Sequence, residues 1–395
     1  MTLWDDFVSV APDREVAGYF ERAPPGPGRP GLATMFDRAD ERLELTRSSS
    51  FPEIARRTDP YLTGGRSAVI GYLGFEAFAL AEPRLVRAPG GSAFPLGELA
   101  CVREVRSARV VLPPRRPLHR RLVEPPQHDS LPRVPFQRGV RNLIRAIRSG
   151  EAFQVVLAHR REWRRPPDLL ARAARLRATE RYAFFYYLKF GDREIVGATP
   201  ESVVEVRGGR AFVNPIAGTL PAAARASGRL PLRHDPKELC EHRMLVDLAR
   251  NDLGSVSRPG SVHLVWEERR ERYARLEHLV SRVGGRLRPH VDAWSVLAAA
   301  FPAGTVSGAP KLRATELLQR EEGTWRGPYG GAVALLRPHQ QADFALAIRT
   351  GFAAGRRLYT AAGAGIVHQS RPAQEFSETL TKLEHVEEAL VGEDP

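Results

Sequence analysis

The sequence predicts an α+β fold in which two lobes carry large, mainly antiparallel sheets flanked by helices, with the active site in a cleft. Residues 183–218 alternate short apolar runs with turn residues several times, which is typical of an antiparallel meander. Helical patterns are grouped from 235 to about 322, and strand patterns return between 327 and 367. Because helices and strands are grouped rather than alternating, the pattern favours α+β over a doubly wound parallel sheet.

The composition excludes several classes of protein. A chain of 395 residues with 43% hydrophobic residues can bury a sizeable core. No run of about 18 apolar residues predicts a membrane-spanning helix, and the acidic Asp5 and Asp6 argue against a secretory signal. Cys101 and Cys240 are far apart and form no CxxC motif, which argues against disulfides and a cysteine zinc site. We therefore expect a cytoplasmic protein with no membrane partner.

The net charge of +13 is carried almost entirely by arginine. The arginines are spread along the chain without interleaved aromatic residues, so we predict no nucleic-acid partner. A regulatory, nucleic-acid-binding protein on an inactive enzyme scaffold is kept as the alternative from a different class. Only four lysines occur, at 189, 237, 311 and 382, and a compact ammonium retained in an arginine-biased chain is a candidate for chemistry.

Two regions are expected along the chain. Residues 1–125 form an N-terminal lobe, with a buried strand and turn at 66–80 and a strand at 101–112. A stretch rich in proline and charge follows and suits an exposed crossover. Residues 136–392 form the catalytic domain, which begins with a helix at 137–150 and a strand from 152 and ends with a helix from about 371 to 391.

Two helices each offer a pair of carboxylates. In the helix at 235–252, Glu238 and Glu241 are three residues apart and share one face. The C-terminal helix repeats this spacing with Glu375, Glu378 and then Lys382. Capping of the first helix and a surface ion pair on the second would also explain these residues. Four converging carboxylates would repel one another without a cation, and Mg²⁺ suits oxygen ligands, so a magnesium site is predicted.

Small-residue loops suggest contacts with an anionic ligand. The segment 301–319 runs through a glycine-containing loop into a helix, although it lacks the spacing of a P-loop. Gly363 and Gly365 permit close approach of a ligand to the backbone. Tyr329 and Arg349 could fix a carboxylate, and arginine can do so with two parallel hydrogen bonds. Each of these features taken singly is also explained by structure alone.

Taken in order, these motifs carry a family resemblance. The motifs "FQVVLAHR", "GATPES", "PIAGT", "DPKELCEHRMLVDLARND", "HLVSRVGG", "FPAGTVSGAPK", "PYGGAV", "AIRT" and "AAGAGIV" with "QEFSET" occur along the chain. They resemble the chorismate-utilising enzymes, which include anthranilate synthase component I and the aminodeoxychorismate, isochorismate and salicylate synthases. The resemblance is strong over 136–392 and weak in the N-terminal lobe, and it implies the fold of anthranilate synthase component I.

The resemblance implies a role for each candidate residue. Magnesium would be held by Glu241 and Glu378, with Glu238 and Glu375 binding directly or through water. The enolpyruvyl carboxylate of chorismate would be bound by four positions: Tyr329, Arg349, Gly363 and Gly365. Glu201 would be the general acid that protonates the departing 4-hydroxyl, and His278 would assist proton removal or contact the ring carboxylate. Lys382 would contact the region of the ring carboxylate. The pocket would be lined by Thr219 and Thr305.

Two positions would choose the nucleophile. Water-using relatives have a lysine base where this chain has Gln154, and typical aminodeoxychorismate synthases have a nucleophilic lysine where it has Ala217. The resemblance thus implies attack by ammonia at C2, loss of the 4-hydroxyl and elimination of pyruvate to give anthranilate. A 2-amino-2-deoxyisochorismate synthase, which keeps the pyruvate, is the nearest alternative; aminodeoxychorismate, isochorismate and salicylate synthases are more distant ones.

Ammonia is expected from a separate protein. Neither cysteine lies in the context of a glutaminase nucleophile, so a glutamine amidotransferase subunit is the expected partner, alongside the substrate chorismate. The motifs "LLES" and "NPSPYM" of tryptophan-sensitive anthranilate synthases are replaced by "ERLELTRSS" and "ERYAFF". Weak or absent feedback inhibition by tryptophan is therefore predicted, which would suit specialised metabolism rather than tryptophan biosynthesis alone.

Overall fold

The computed structural model describes residues 2–23, 30–82, 92–110, 122, 124–179, 182–221, 236–273 and 276–393. The side chains of 217–221, 236–238, 272–273 and 276–277 lie outside this description. Within these ranges the α-helices are α1 (Leu3–Val10), α2 (Phe51–Thr58), α3 (Arg133–Arg148), α4 (Leu169–Thr179), α5 (Pro236–Gly254), α6 (Ala293–Ala300), α7 (Lys311–Glu322) and α8 (Pro372–Leu390).

The strands of the first half of the chain are β1 (Val16–Arg22), β2 (Gly31–Phe36), β3 (Glu41–Leu45), β4 (Ala68–Leu73), β5 (Gly97–Val102), β6 (Arg106–Val110), β7 (His128–Asp129), β8 (Gln154–Arg164), β9 (Phe184–Phe190) and β10 (Arg193–Thr199). Those of the second half are β11 (Ser202–Arg207), β12 (Arg210–Val213), β13 (Ile216–Pro221), β14 (His263–Tyr273), β15 (Leu276–Arg286), β16 (Gly308–Ala309), β17 (Ala332–Arg337), β18 (Gln341–Leu346), β19 (Thr350–Ala354) and β20 (Arg357–Ile366).

The strands form two large sheets. The first has the order β16-β8-β20-β19-β10-β9-β1-β2-β6, with β7 also paired to β8. The second has the order β13-β15-β12-β11-β18-β17-β4-β5-β3, with β14 also paired to β15. Every strand pair among the described residues is antiparallel, as in β8 with β20 and β17 with β18. The predicted α+β class with mainly antiparallel sheets is confirmed.

Strands from residues 16–110 extend both sheets. In the first sheet β1 pairs with β9, so that Tyr19 lies opposite Tyr187. In the second sheet β4 pairs with β17, so that Ile70 lies opposite Leu335. Hydrogen-bonded ladders thus join strands from both sides of the predicted domain boundary between 125 and 136. The boundary itself stays a prediction.

One part of the core lies between the two sheets. One buried cluster draws Phe20, Tyr186 and Phe352 from the first sheet and Tyr72 and Val333 from the second. All five side chains are at most 1% exposed. Burying a large apolar side chain of this kind stabilises a fold by about 1.5–3 kcal/mol, so these contacts hold the sheets face to face.

Several local predictions need correction. Residues 66–80 contain β4 followed by a short 3₁₀ helix at Phe75–Leu80, and 101–112 contains the end of β5, a turn and β6 rather than one strand. The prediction that helices dominate 235–322 is wrong for 263–286, which forms the long hairpin β14–β15. The predicted crossover at 112–135 falls partly outside the described residues. No described helix is long and apolar enough to cross a bilayer.

Candidate active site

A cavity of about 220 Å³ opens where the two sheets face each other near β8, β20 and β15. Twelve of the side chains and glycines predicted from the sequence line it. They are Gln154, Glu201, Glu241, His278, Thr305, Tyr329, Arg349, Gly363, Gly365, Glu375, Glu378 and Lys382. The roles predicted for them remain predictions, but the fold brings these dispersed residues to one place.

The elements that position these residues come from both sheets. Gln154 is the first residue of β8, and Gly363 and Gly365 lie on the neighbouring strand β20. In the β8–β20 ladder Gly365 is opposite Val156, and a Cβ on Gly365 would come within 2.5 Å of the Gln154 Nε2. A side chain at position 365 would therefore displace the Gln154 amide from its place against the strand.

Three predicted residues are not described at the side-chain level. Ala217 and Thr219 lie in β13, where the backbone of Ala217 pairs with Leu279 and the register shifts before Leu220. Leu279 follows the cavity residue His278, so the ladder brings β13 to the cavity wall, which Ile216 also lines. The side chains of Ala217, Thr219 and Glu238 lie outside the described residues.

Gln154 and Glu241 are joined across the cavity. Gln154 Nε2 donates a hydrogen bond of 2.7 Å to Glu241 Oε1, which fixes the orientation of the amide. Gln154 is 3% exposed, and its Oε1 has no hydrogen-bond partner among the described residues. An enclosed acceptor without a partner is costly, so a rearrangement that gave this oxygen an N–H or O–H from a ligand would be favourable.

Glu201 forms the second polar pair of the cavity. The Thr305 hydroxyl donates a 2.6 Å hydrogen bond to Glu201 Oε1. Burial raises the pKa of Glu201 to about 7, against the smaller lowering effects of Thr305 and the Lys382 charge. A carboxyl with this pKa holds a proton in a large share of molecules at neutral pH and can donate it.

Cationic and phenolic groups line another part of the cavity. Arg349 has a positive φ of 54°, a strained backbone for a residue other than glycine, and its guanidinium donates to the Lys382 carbonyl. Lys382 Nζ donates to the Gly363 carbonyl at 2.9 Å and pairs with Glu378 at 2.6 Å. Burial raises the pKa of Tyr329 to about 12, so the neutral phenol faces the cavity. These donors suit an anionic ligand.

The acidic residues suit a hard cation. Glu241, Glu375 and Glu378 contribute carboxylates to the same cavity, and Mg²⁺ prefers oxygen ligands of this kind. The donor chemistry therefore fits magnesium. Among the described residues no three histidine, cysteine, aspartate or glutamate side chains already lie close enough together to hold a metal. The side chain of Glu238, the fourth predicted ligand, lies outside that description.

The loop at 301–310 contributes less than its sequence suggests. Thr305 and Val306 line the cavity, whereas Lys311 turns away from it. Lys311 Nζ donates to Asp252 Oδ2 and to the Ala300 carbonyl, both at 2.7 Å. The ammonium thus fixes the loop to α5, which is a structural role. In this respect the loop differs from a phosphate-binding loop, whose lysine contacts the ligand.

Arg326 was missed from the sequence. Its guanidinium is 6% exposed and donates to the carbonyls of Val306 at 2.5 Å and Val156 at 2.7 Å. Both of those residues line the cavity, and Glu322 neutralises the buried charge. Arg326 therefore holds the cavity wall in place. In the sequence, the position of Arg326 three residues before Tyr329 was the one feature that could have linked it to the site.

The fold and the cavity are those of an enzyme, and the cavity lining suits a small anionic ligand. Residues 31–388 match the family model described as chorismate binding enzyme. This match covers most of the chain, and the chain belongs to that family.

Curated relatives match 60–67% of the chain. "Anthranilate synthase component 1" of Methanothermobacter marburgensis is 45% identical over 240 residues, which is 60% of this chain and 52% of that protein. "2-amino-4-deoxychorismate synthase" of Streptomyces globisporus is 39% identical over 269 residues, or 67% and 54% of the two chains. The chain thus spans about half the length of the curated relatives it matches.

Solved structures share the whole architecture. Anthranilate synthase component I from Streptococcus pneumoniae superposes with a TM-score of 0.79 at 27% identity, over 92% of this chain and 93% of that one. The menaquinone-specific isochorismate synthase of Escherichia coli gives a TM-score of 0.76 at 18% identity, over 99% and 91%. The second likeness concerns the fold alone.

Proposed function

We propose that this protein aminates chorismate at ring carbon C2 with ammonia, in a magnesium-dependent reaction, and then eliminates pyruvate to give anthranilate. The observation that carries the proposal is the Gln154 amide, which lines the cavity, donates to Glu241 and keeps an enclosed Oε1 without a described partner. The relatives named anthranilate synthase component 1 support the same reaction.

The Gln154 carbonyl selects a nucleophile that can donate a hydrogen bond without being deprotonated. An amide oxygen accepts hydrogen bonds but is not a base at neutral pH. Neutral ammonia is already a nucleophile and needs only to be positioned, whereas water needs a base to remove its proton. Gln154 therefore supplies no base for water, which supports ammonia as the nucleophile.

Glu201 supplies the proton for the first step. The new C–N bond forms at C2 as the C–O bond to the 4-hydroxyl breaks, and Glu201 protonates the departing oxygen, which leaves as water. The Thr305 hydroxyl fixes the carboxyl at 2.6 Å and leaves its second oxygen for the substrate. The new ammonium group then loses a proton, which replaces the proton that Glu201 gave up. The step therefore consumes chorismate and ammonia and yields 2-amino-2-deoxyisochorismate and water.

The remaining residues orient the substrate. Arg349 and the neutral Tyr329 would hold the enolpyruvyl carboxylate beside the backbone of Gly363 and Gly365. Lys382 would contact the ring-carboxylate region. His278, which is 9% exposed at the cavity wall, would assist removal of the C2 proton as pyruvate leaves.

Magnesium would be held by Glu241 and Glu378, with Glu375 and Glu238 contributing directly or through water. When bound, the ion would neutralise charge on the ring carboxylate of chorismate and favour its binding among acidic side chains. Without the ion, those carboxylates would repel the dianionic substrate.

The nitrogen source would be a separate glutamine amidotransferase subunit. Cys101 is buried in β5 and Cys240 is exposed on α5, and both are free. Neither position offers the nucleophile and base of a glutaminase. The phrase "component 1" in the relatives' names also points to an enzyme of more than one component.

A second product is supported by one relative. The Streptomyces globisporus protein is named 2-amino-4-deoxychorismate synthase, and that name describes a ring with an amino group at C2 and no hydroxyl at C4. The same compound is the intermediate of the proposed reaction. An enzyme that released it before pyruvate loss would use the same cavity residues.

A product assay tests the proposal. The purified chain is incubated with chorismate, magnesium and excess ammonium at mildly alkaline pH, and anthranilate and pyruvate are quantified. Equal amounts of both products are expected. An aminated ring without pyruvate would establish the second product, and formation of isochorismate would contradict the role given to Gln154.

A further inference from the structure

A buried histidine joins the C-terminal helix α8 to the first sheet. The side chain of His159, on β8, is fully enclosed. Its Nδ1 lies 2.9 Å from Asp129 Oδ1 on β7, and its Nε2 lies 2.9 Å from Thr379 Oγ1 on α8. None of these three residues lines the cavity, and the proposed reaction gives them no role. A buried group of this kind, tied to two other elements, calls for a physical explanation.

The hydrogen bonds fix where the protons of this group lie. The Thr379 hydroxyl donates its one proton to the Phe376 carbonyl at 2.7 Å, so the His159 Nε2 must donate to Thr379. Burial tends to raise the pKa of Asp129, but the hydrogen bond and charge of His159, with the Leu131 N–H, outweigh it and lower that pKa. An ionised carboxylate accepts hydrogen bonds, so the His159 Nδ1 donates to it. The imidazole is thus a double donor that links β7 to α8.

Aromatic packing holds the imidazole ring in one orientation. The centre of the His159 ring lies 5.4 Å from that of Phe376 on α8 and 5.5 Å from that of Phe136 on α3. Phe136 and Phe376 are in turn 5.5 Å apart, so the three rings contact one another. A side chain locked by packing keeps the direction of its hydrogen bonds fixed. A rotation of α8 about its axis would therefore break the bond from His159 to Thr379.

Thr379 lies beside the cavity residues of α8. Glu375 is four residues before it and Lys382 is three residues after it, so the three share one side of the helix. Glu378 directly precedes Thr379. All three charged residues line the cavity. A shift of Thr379 would consequently move all three charged groups.

The other half of α8 has an anchor of its own. Glu387, eight residues after Thr379, accepts hydrogen bonds from Thr360 Oγ1 at 2.8 Å and from the Arg161 guanidinium at 2.9 Å. Thr360 and Thr379 are both 0% exposed, and neither lines the cavity. Thr360 is therefore a matched comparison: it is a buried threonine whose hydroxyl holds α8 about two turns farther along the helix.

We propose that His159 is a positioning residue that sets the rotation of α8 by donating to both Asp129 and Thr379. The rotation places the three charged groups of α8 in the cavity. This inference rests on the proposed function, because those groups would bind magnesium and chorismate there. The role of His159 is indirect, since it acts through Thr379.

The experiment removes the donor or the acceptor of this bond in the whole chain. Thr379→Val removes the hydroxyl that accepts from His159, and Thr379→Ser keeps it. His159→Phe removes both ring donors but leaves an aromatic ring. Thr360→Val is the matched control, and urea unfolding compares the stability of all variants.

Three measurements report the position of α8 and its consequence. Calorimetric titration with Mg²⁺ alone gives the metal affinity, and assays with chorismate, magnesium and excess ammonium give kcat and KM. Crystal structures of the metal-free proteins give the distance from Lys382 Nζ to the Gly363 carbonyl, which is 2.9 Å in the parent. That distance depends on neither metal binding nor turnover.

Thr379→Val and His159→Phe are expected to weaken Mg²⁺ binding and to lower kcat at least about tenfold, as loss of a residue that orients metal ligands does. In both, Lys382 Nζ should lie beyond hydrogen-bond distance of the Gly363 carbonyl. Thr379→Ser should stay within about twofold of the parent. Thr360→Val should do the same, even where its loss of stability equals that of Thr379→Val.

Three results would overturn the inference: an α8 position or Mg²⁺ affinity unchanged in both Thr379→Val and His159→Phe, an equal loss in Thr360→Val, or an equal loss in Thr379→Ser. Failure of the proposed function gives a different pattern. In that case the parent would not bind Mg²⁺ or would not aminate chorismate, and the crystal structures would still show whether α8 turns.

Discussion

Thr305 Oγ1 lies 2.6 Å from Glu201 Oε1, and the two residues come from loops 104 positions apart. The hydroxyl donates to a carboxyl whose pKa burial raises to about 7. The pair thus combines a proton that is available at neutral pH with a fixed direction for its delivery. The predictions below follow from this pair and from the other polar contacts of the cavity.

The pH dependence should report Glu201. If the protonated carboxyl is the acid, turnover at constant free ammonia is high below pH about 7 and falls about tenfold per unit above it. Thr305→Val removes a hydrogen bond that lowers this pKa, so the falling limb should move to higher pH. Thr305→Ser keeps the hydroxyl, so the falling part of its pH profile should stay at the same pH as in the parent protein. A profile that Thr305→Val leaves in place would contradict this assignment.

Gln154→Lys should change the nucleophile. An amine at this position can act as a base on water, so isochorismate is expected among the products and the aminated product should fall at least about tenfold. Products are separated by chromatography after incubation with ammonium. Gln154→Met, which removes the amide without adding a base, is the control and should lower amination without yielding isochorismate. Unchanged amination in both variants would exclude a role for Gln154 in nucleophile choice.

Magnesium binding should depend on the two helical carboxylate pairs. Glu241→Gln and Glu378→Gln should each weaken Mg²⁺ affinity at least about tenfold in calorimetric titrations, because each removes a charged oxygen ligand. Chelation of the metal should abolish turnover, and added Mg²⁺ should restore it. Glu384→Gln on the exposed face of α8 is the matched control. Full activity of the metal-free protein would refute the requirement.

The Asp252–Lys311 pair should govern stability rather than catalysis. Both side chains are largely buried, and their 2.7 Å contact anchors the loop before α7 to α5. Asp252→Ala leaves a buried ammonium without its partner and should cost about 3–5 kcal/mol of unfolding free energy. The double variant Asp252→Ala with Lys311→Met should recover part of that loss. Urea unfolding of the two variants measures both values, and equal stability of single and double variants would count against the pairing.

Tryptophan should inhibit weakly or not at all. The strands at the two segments compared with the tryptophan-sensitive motifs belong to different sheets: β3 pairs with β5, whereas β9, which begins at Phe184, pairs with β1. Side chains of β3 and β9 nevertheless meet, since the Arg42 guanidinium lies 5.8 Å from the centre of the Phe190 ring. The prediction itself rests on the replaced motifs. Titration of tryptophan into the product assay tests it, and inhibition at low micromolar concentration would refute it.

The sequence predicted the site better than the local structure around it. Gln154, Glu201 and Arg349 could be named because short motifs carried them, and the cavity gathers all three. The link between Gln154 and Glu241 could not be foreseen, because 87 positions separate the partners and only the packing of α5 near β8 joins them.

The hairpin β14–β15 was missed for a physical reason. Its first strand contains the run "EERRERY", whose charges at spacings of three and four residues are typical of an exposed helix. That strand pairs only with β15 among the described strands, and many of its side chains remain exposed. The backbone ladder, rather than an apolar pattern, therefore determines its structure.

The strands β1, β2 and β6 continue the first sheet beyond β9, and β4, β5 and β3 continue the second sheet beyond β17. A truncated gene that began near residue 136 would leave β9 and β17 as long apolar edges, each with a row of unpaired N–H and C=O groups. Such edges recruit other chains, so the shortened product would precipitate rather than act as a minimal enzyme. The N-terminal region is consequently a solubility requirement for the catalytic half as well as a part of its architecture.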